Sequence, residues 1–344
     1  MLYLGVDDIK PLIDTDILLW EIGVQGQYVD EESGETRMLS FDVVAEKFEA
    51  KVKDICAAVW ATEPPLMFMS YNKQIFKNDE AKKAKQLKRV EREANKLKIK
   101  QLEEQLSEEE CAAEMEHLSN EIDNLKPEKY NANFREAVAK KKVYKGNRKP
   151  DSKPLHYLNL VEYVKANYEC VMAKGLEADD LLGVYQMRAE PLTTVICSRD
   201  KDLKIIPGMH YGWEAGFQRE FGPVQVDEVG EISLNARRNK VSGSGLKFFY
   251  SQVLTGDVTD NYPGLPSCGP VKAFNTLSDT NTEGEMFEAV LGAYRETYTK
   301  LDGEEHDYRA EMLEQCRLAY MIQELDEEDN IVPYIMFDER GQDE

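Results

Sequence analysis

Four times in this chain a short apolar run ends in clustered carboxylates: Asp14/Asp16, Glu177/Asp179/Asp180, Asp200/Asp202 and Asp257/Asp260. The first three clusters follow strand-like stretches at 11–13, 170–173 and 193–197, and the fourth ends an apolar, helix-like run over 246–254. An open α/β sheet places its ligand sites outside the carboxyl ends of its strands. In a chain with 65 Asp and Glu, any single pair reads as a solvated loop or a helix start. Four of them at the ends of apolar segments, in an order that closes one site, predict convergence. Carboxylates so gathered repel strongly: two like charges about 4 Å apart cost roughly 4 kcal/mol at an effective dielectric of 20. Divalent cations are the simplest compensation. An oxygen-only set without His or Cys suits Mg²⁺ or Mn²⁺, the ions of phosphoryl chemistry. The pattern points to a metal-dependent nuclease.

Composition narrows the alternatives. The chain has 344 residues, 42% of them hydrophobic, enough for a substantial core in one large domain or two smaller ones. No run approaches the roughly 18 apolar residues of a membrane span. The first ten residues lack the basic start and apolar stretch of a signal peptide. Six cysteines are scattered without metal-ligand spacing, which implies reduced thiols and a cytoplasmic setting. Four dispersed histidines give no support to a zinc site or a His-based triad. The net charge of −22 argues against a nucleic-acid partner only in sum, because charge location matters more. Residues 135–153 carry eight Lys or Arg against two acids, a basic strip able to guide DNA to one place. The acidic excess after Asn281 is expected on a solvated outer surface.

Along the chain, 11–20 reads as strand, turn and helix with Asp14 at the bend, and 24–40, with Gly34 in its middle, as a β-hairpin. Val43, Val44, Phe48, Val52, Ile55 and Val59 keep helical spacing. A buried strand is expected over 65–69. Residues 73–128 then interrupt the α/β pattern with two apolar seams, Leu87/Val90/Ala94/Leu97 and Met115/Leu118/Ile122/Leu125. Ser107 and Glu110 form a capping-box signature for the second seam, and Pro127 stops it. The first arm (73–100) holds eleven basic and four acidic residues and the second (101–128) one basic and ten acidic. Opposite charge on matching seams predicts an antiparallel helical hairpin inserted into a core made of 1–72 and 129–344. It reads as a structural insertion, with contact to DNA or another replication protein as the alternative. Beyond it, Ser152 and Pro154 signal a helix to about Asn167, 177–187 is helical, and 222–233 is β-rich.

Several stretches resemble the 5′-nuclease family of flap endonucleases and 5′→3′ exonucleases, bacteriophage members most of all. Leu176-Glu177-Ala178-Asp179-Asp180 is similar to the family's E-A-D-D helix start, and Ser198-Arg199-Asp200-Lys201-Asp202 to its S/T-x-D-x-D turn. Gly256-Asp257-Val258-Thr259-Asp260-Asn261 matches its G-D-x-x-D-N, and Tyr144-Lys145-Gly146-Asn147-Arg148 its Y-K-x-N-R. The motifs fall in family order over about residues 11–275. The end of the chain, from Cys316 to Ile335, is more weakly similar to the tail of a phage exonuclease.

The resemblance implies a three-layer α/β core with a central, mostly parallel sheet, a helical arch at about 133–153 and a helix–three-turn–helix DNA-binding module at about 245–280. It implies a two-metal phosphodiesterase acting from the 5′ side of DNA ends or flaps, with RNA in RNA–DNA hybrids as a second substrate. Glu177, Asp179 and Asp200 would help hold one ion. Asp180, Asp202, Asp257 and Asp260 would hold or order the other, and Asp14 corresponds to the family's first aspartate, with Asp16 beside it. Lys145 and Arg148, three residues apart on one helical face, would contact the scissile phosphate. Tyr144 would stack on a base or pack against the arch. Arg135, Lys140, Lys141, Lys142 and Lys149 would meet the DNA backbone. In the module, the glycines Gly264 and Gly269 would let amides approach phosphates beside Lys272, often with a monovalent cation such as K⁺. One departure is plain: family members usually carry another acid at the end of the second strand, where this chain has Ser70, Tyr71 and Asn72. Asp123 resembles that motif locally but falls in the hairpin's second arm. The rivals are a related single-strand or RNA nuclease, and a non-catalytic, structure-specific DNA-binding protein with a degenerate metal site.

Overall fold

The computed structural model describes residues 8–31, 34–70, 101, 133–147, 153–173, 175–302 and 307–340. The 73–128 hairpin, apart from Gln101, lies outside them, as do Tyr71, Asn72, Arg148 and Lys149. Met1–Ser70 and Asn133–Glu344 make one compact unit, distinct from Tyr71–Ala132.

Strand β1 (Lys10–Asp14) is followed directly by helix α1 (Thr15–Gln25), with the Asp14 side chain accepting the Ile17 amide as N-cap. This is the strand–bend–helix read from the apolar run and its terminal acid. A short hairpin, β2 (Gln27–Val29) and β3 (Thr36–Met38), turns at Gly34, whose φ of 70° an L side chain rarely adopts. Helix α2 (Phe41–Ala58) buries Val44, Phe48, Val52 and Ile55 of the face its periodicity gave, while Val43 is exposed. Strand β4 (Leu66–Ser70), helix α3 (Phe134–Val138), helix α4 (Tyr157–Asn167) and strand β5 (Glu169–Ala173) follow. Pro154 opens a turn, and the helix begins three residues later. Next come α5 (Ala178–Arg188), β6 (Thr194–Cys197), β7 (Gly208–Gly212) and β8 (Phe221–Val226).

The six strands form one sheet in the order β5-β4-β1-β6-β7-β8, parallel throughout except for β8 at the edge. Asp14 ends the central β1, Ser70 ends β4, and β5 and β6 lead into the Glu177 and Asp200 clusters, all at the carboxyl edge. Leu12, Leu66, Phe68 and Ile196 join a core with Leu182, Phe249 and Tyr250. Their strand neighbours Ile13, Met67, Met69 and Val195 are equally buried. Alternate residues face opposite ways, so both faces of the sheet are covered, as the apolar runs require.

After a small hairpin, β9 (Ile232–Leu234) with β10 (Val241–Gly243), helix α6 (Gly245–Thr255) ends at Gly256 (φ 67°), where a Cβ would lie 2.4 Å from the Tyr262 carbonyl. Turns lead to α7 (Pro270–Leu277), then to α8 (Glu283–Asp302) and α9 (Tyr308–Ala319). The acidic tail is therefore amphipathic: Met286, Phe287, Val290 and Tyr294 of α8 are fully buried, and only the opposite face is solvated. Among the described residues no helix is long and apolar enough to cross a membrane.

The candidate active site and its relatives

Each acidic cluster is positioned by the strand or helix it terminates. Asp14 is buried, and its Oδ2 accepts from the Ser198 hydroxyl at 2.6 Å across the β1–β6 boundary. Ser198 Oγ in turn accepts the Asp200 amide at 2.9 Å, and Asp200 Oδ1 accepts the Asp202 amide at 2.9 Å. One serine therefore sets both the first aspartate and the S-R-D-K-D turn. At the next strand end, the Ser70 amide donates to Asp16 Oδ2 at 2.9 Å and its hydroxyl accepts from the Ala178 amide at 3.2 Å. Ser70 stands where an acid was expected and joins Asp16 to the start of α5.

Asp14, Asp16, Glu177, Asp179 and Asp200 line one cleft of about 1100 Å³ together with Lys145 and Lys201. Asp202, Asp257 and Asp260 form an adjoining group. Lys201 reaches Asp257 and lies 3.3 Å from Asp202, while Gln252 donates to Asp202 at 2.5 Å. The Tyr144 hydroxyl lies 3.0 Å from Asp260 Oδ2 and 3.2 Å from Glu177 Oε2, and Lys145 bonds Glu177, so the two groups share a border. Three cross-bonds dock the Y-K-x-N segment on the G-D-x-x-D-N turn: Lys145 amide to Asp260 carbonyl, Asn147 to Val258 carbonyl, and Asn261 to Val143 carbonyl.

Several sequence expectations are corrected. Arg135 is 1% exposed, and both its terminal nitrogens bond Asp180 at 2.7 Å, with further bonds to the Leu318 and Tyr320 carbonyls. It faces the interior, away from any DNA. Asp180 also accepts the Glu177 and Ile322 amides, so both of its oxygens are engaged within the fold. Lys145 has φ 53° in a turn, not in a helix, and its expected partner Arg148 lies outside the described residues. Tyr144 is buried, which excludes base stacking in this arrangement. Lys140 and Lys142 are exposed, while the Lys141 ammonium is held by Tyr298 and Glu311. The Gly264 amide donates to Gln315 at 2.8 Å, and a Cβ there would come within 2.3 Å of the Gly256 nitrogen. That glycine serves backbone packing. Gly269 caps α7 in open space, with Lys272 exposed one turn on. Ser198, Lys201 and Gln252 were missed as site residues. The first two stand inside a quoted motif, and Gln252 lies on α6 with no signal of its own.

The electrostatics show where charge is short. Burial, then repulsion from Asp16 and Asp200, pushes the Asp14 carboxyl up to about 7 against a helping Ser198 bond. Burial and then Asp200 push Asp202 up to about 7. Asp179 and Asp200 are raised by burial and by neighbouring carboxylates. Burial would raise Asp257 too, but the Lys201 ammonium and two amides outweigh it and leave the carboxyl lowered. Among the described residues no three His, Cys, Asp or Glu close into a ready metal-binding group. The donors nonetheless fit a hard divalent cation: all are oxygens, and the buried Asp16 Oδ1 accepts no hydrogen bond from the described residues.

A pH dependence follows. For Asp14 and Asp202, the folded value near 7 lies above the unfolded 3.8, so the folded chain holds protons the unfolded chain releases. Without divalent ions, stability is therefore expected to fall as pH rises from about 4 to about 7, then level off. Melting in EDTA across that window checks this, and a curve that climbs instead removes the buried acids from the account.

No protein-family model matches the sequence. A DNA polymerase I of Rhizobium leguminosarum is 30% identical over 144 residues, 40% of this chain and 13% of that protein. An exodeoxyribonuclease of Enterobacteria phage T3 is 30% identical over 131 residues, 37% of each chain. The match thus spans little more than a third of the phage relative and far less of the polymerase. Solved structures of the T5 D15 protein with metal ions and of the T5 5′-exonuclease cover 90–91% of this chain at 10–11% identity, with TM-scores of 0.34 and 0.36. These scores are too low to carry an argument. In sequence, the chain resembles the bacteriophage 5′-nucleases, as its motifs implied and as its match to the phage T3 exodeoxyribonuclease bears out.

Proposed function

We propose that the protein is a metal-dependent 5′-nuclease that hydrolyses DNA phosphodiesters from the 5′ side, by exonucleolytic steps, flap cleavage or both. The observation that carries this is the gathering of Asp14, Asp16, Glu177, Asp179 and Asp200 in one cleft at the carboxyl edge of a parallel sheet, with Lys145 among them. The phage exodeoxyribonuclease match supports the same class.

The cleft carboxylates would hold one Mg²⁺ (or Mn²⁺), and Asp202, Asp257 and Asp260 would hold or order a second. When bound, such ions stabilise charge on the phosphoryl oxygens and lower the pKa of water. The chain's own part is positioning. Ser198 fixes Asp14 and Asp200 together, Ser70 fixes Asp16, and Tyr144 holds Glu177 against Asp260. Lys145 would release Glu177 to meet a phosphate oxygen, and Arg148 would add a second cation there. Lys140, Lys142 and Lys149 would follow the backbone. Gly269 and Lys272 at the start of α7 would grip duplex phosphates without reading sequence, with K⁺ as the monovalent partner. The 73–128 insertion would serve DNA or a replication protein, RNA in hybrids would be a second substrate, and the cytoplasm the site of action.

The test is direct. With Mg²⁺, purified protein is expected to shorten 5′-labelled duplex and to release the 5′ arm of a flap. Intact duplex, flap and hybrid substrates would end the proposal. One observation favours a second reading, a DNA-binding protein without catalysis: Lys145 and Lys201 stand between the carboxylates where cations would. Tight flap binding with no turnover in Mg²⁺ or Mn²⁺ would select it.

A further inference from the structure

The cleft that holds the carboxylates has a lining beyond them. Gly216, Phe217 and Gln218, on the connection between β7 and β8, line it together with Asp14, Asp179 and Asp200. Ala215 and Gln218 exchange both backbone hydrogen bonds, at 3.1 and 2.9 Å, leaving Gly216–Phe217 as a two-residue tip. Gly216 supplies the positive φ of 57° that so tight a turn needs. Phe217 is 108% exposed, so its ring contributes nothing to the core and a polar residue would serve the turn as well.

The tip is braced from the acidic side. Arg199, the residue before Asp200, donates through Nε and Nη2 to Gln218 Oε1 at 3.0 and 2.8 Å and through Nη1 to the Arg219 carbonyl at 3.2 Å. At the base of the hairpin, Phe221 lies under Lys204 at 3.7 Å and under Arg199 at 5.6 Å. An aromatic ring is thus presented to water, on a hairpin tied to the same strand end that places Asp200. A lone ring is too small for a protein or lipid contact, and single exposed apolar residues are ordinary on surfaces. What sets this one apart is the shared cleft: in a strand whose phosphate is held at the carboxylates, the flat apolar group that can meet a ring lining the same cleft is a nucleobase.

We propose that Phe217 stacks on an unpaired base of the substrate strand beside the phosphate at the carboxylates, and that Arg199 is the positioning residue holding the ring in register with Asp200. The inference rests on the nuclease reading and adds a preference for substrates with an unpaired base. Stacking accepts any base, so it confers strand-form selectivity without sequence selectivity.

The test uses flap oligonucleotides carrying 2-aminopurine, or an abasic residue, at each of the first three unpaired positions. Under Ca²⁺, wild type is expected to quench 2-aminopurine at one position, Phe217→Ala to lose the quench, and Phe217→Trp to keep it. Under Mg²⁺, the abasic flap is expected to raise KM roughly tenfold for wild type and hardly at all for Phe217→Ala. Equal quenching by wild type and Phe217→Ala, or no quenching at any position, overturns the stacking role. Cleavage of the unmodified flap by wild type reads the nuclease assignment separately, because the fluorescence requires no turnover.

Discussion

Asp200→Asn is expected to lower hydrolysis at least about a hundredfold while raising the melting temperature of the metal-free protein by a few degrees. Partners that merely support metal ligands cost ten- to a hundredfold when replaced, so a change in the donor set itself should cost no less. The gain in stability has a separate cause. Asp200 is itself destabilised by burial, and it raises Asp14, Asp179 and Asp202 in turn. Removing its charge relieves all four. Asparagine retains the Oδ1 acceptor for the Asp202 amide, so the S-R-D-K-D turn keeps its bond. Opposite movement of activity and stability is the signature of a site strained for function. Undiminished hydrolysis would take Asp200 out of the chemistry. A lowered melting temperature would show instead that its charge is already compensated by Lys145 and Lys201.

The same electrostatics explain what the sequence revealed and what it hid. Sheet and helices were legible because burial imposes a period on the chain. The runs ending at Asp14, Ser70, Ala173 and Cys197 are apolar because parallel strands are covered on both faces, and α2 keeps its 3.6-residue stripe. Gathering of the carboxylates was legible for a related reason, since each ends an element whose carboxyl edge is fixed by topology. Partnership was not. A charged side chain looks the same in sequence whether it faces water, a ligand or an opposite charge, so Arg135 read as part of a DNA-facing strip. Lys145 was misread for another reason. The helical expectation came from the three-residue spacing and from the arch that the resemblance implies, whereas three bonds to the 257–261 turn hold 143–147 in a tight bend. Likewise, the acid count after Asn281 masked the buried Met286, Phe287, Val290 and Tyr294 of α8.

The largest stability effect is expected from the buried Arg135–Asp180 pair. Arg135→Ala should cost about 3–5 kcal/mol, since it strands the Asp180 carboxylate in the interior without its partner. Against a typical domain stability of about 5–15 kcal/mol, this brings the fold close to failure. The position explains the size of the effect. Arg135 on α3 joins Asp180 in the first turn of α5 to the Leu318 and Tyr320 carbonyls at the end of α9, so one guanidinium ties together three segments distant in sequence. Asp180→Asn should cost less, because the guanidinium keeps the Leu318 and Tyr320 carbonyls and the Glu177 carboxylate 3.7 Å away. Replacing both residues together by apolar ones, Arg135→Met with Asp180→Leu, should cost less than the sum of the two single changes, as the charges that need each other leave together. Denaturant unfolding of wild type, Arg135→Met, Asp180→Leu and the double variant measures this coupling. DNA binding provides the opposing test: a folded Arg135→Ala protein with unchanged stability and weakened affinity for duplex would put the guanidinium on the surface after all, whereas loss of stability with affinity intact in the folded fraction places it where its hydrogen bonds do, inside.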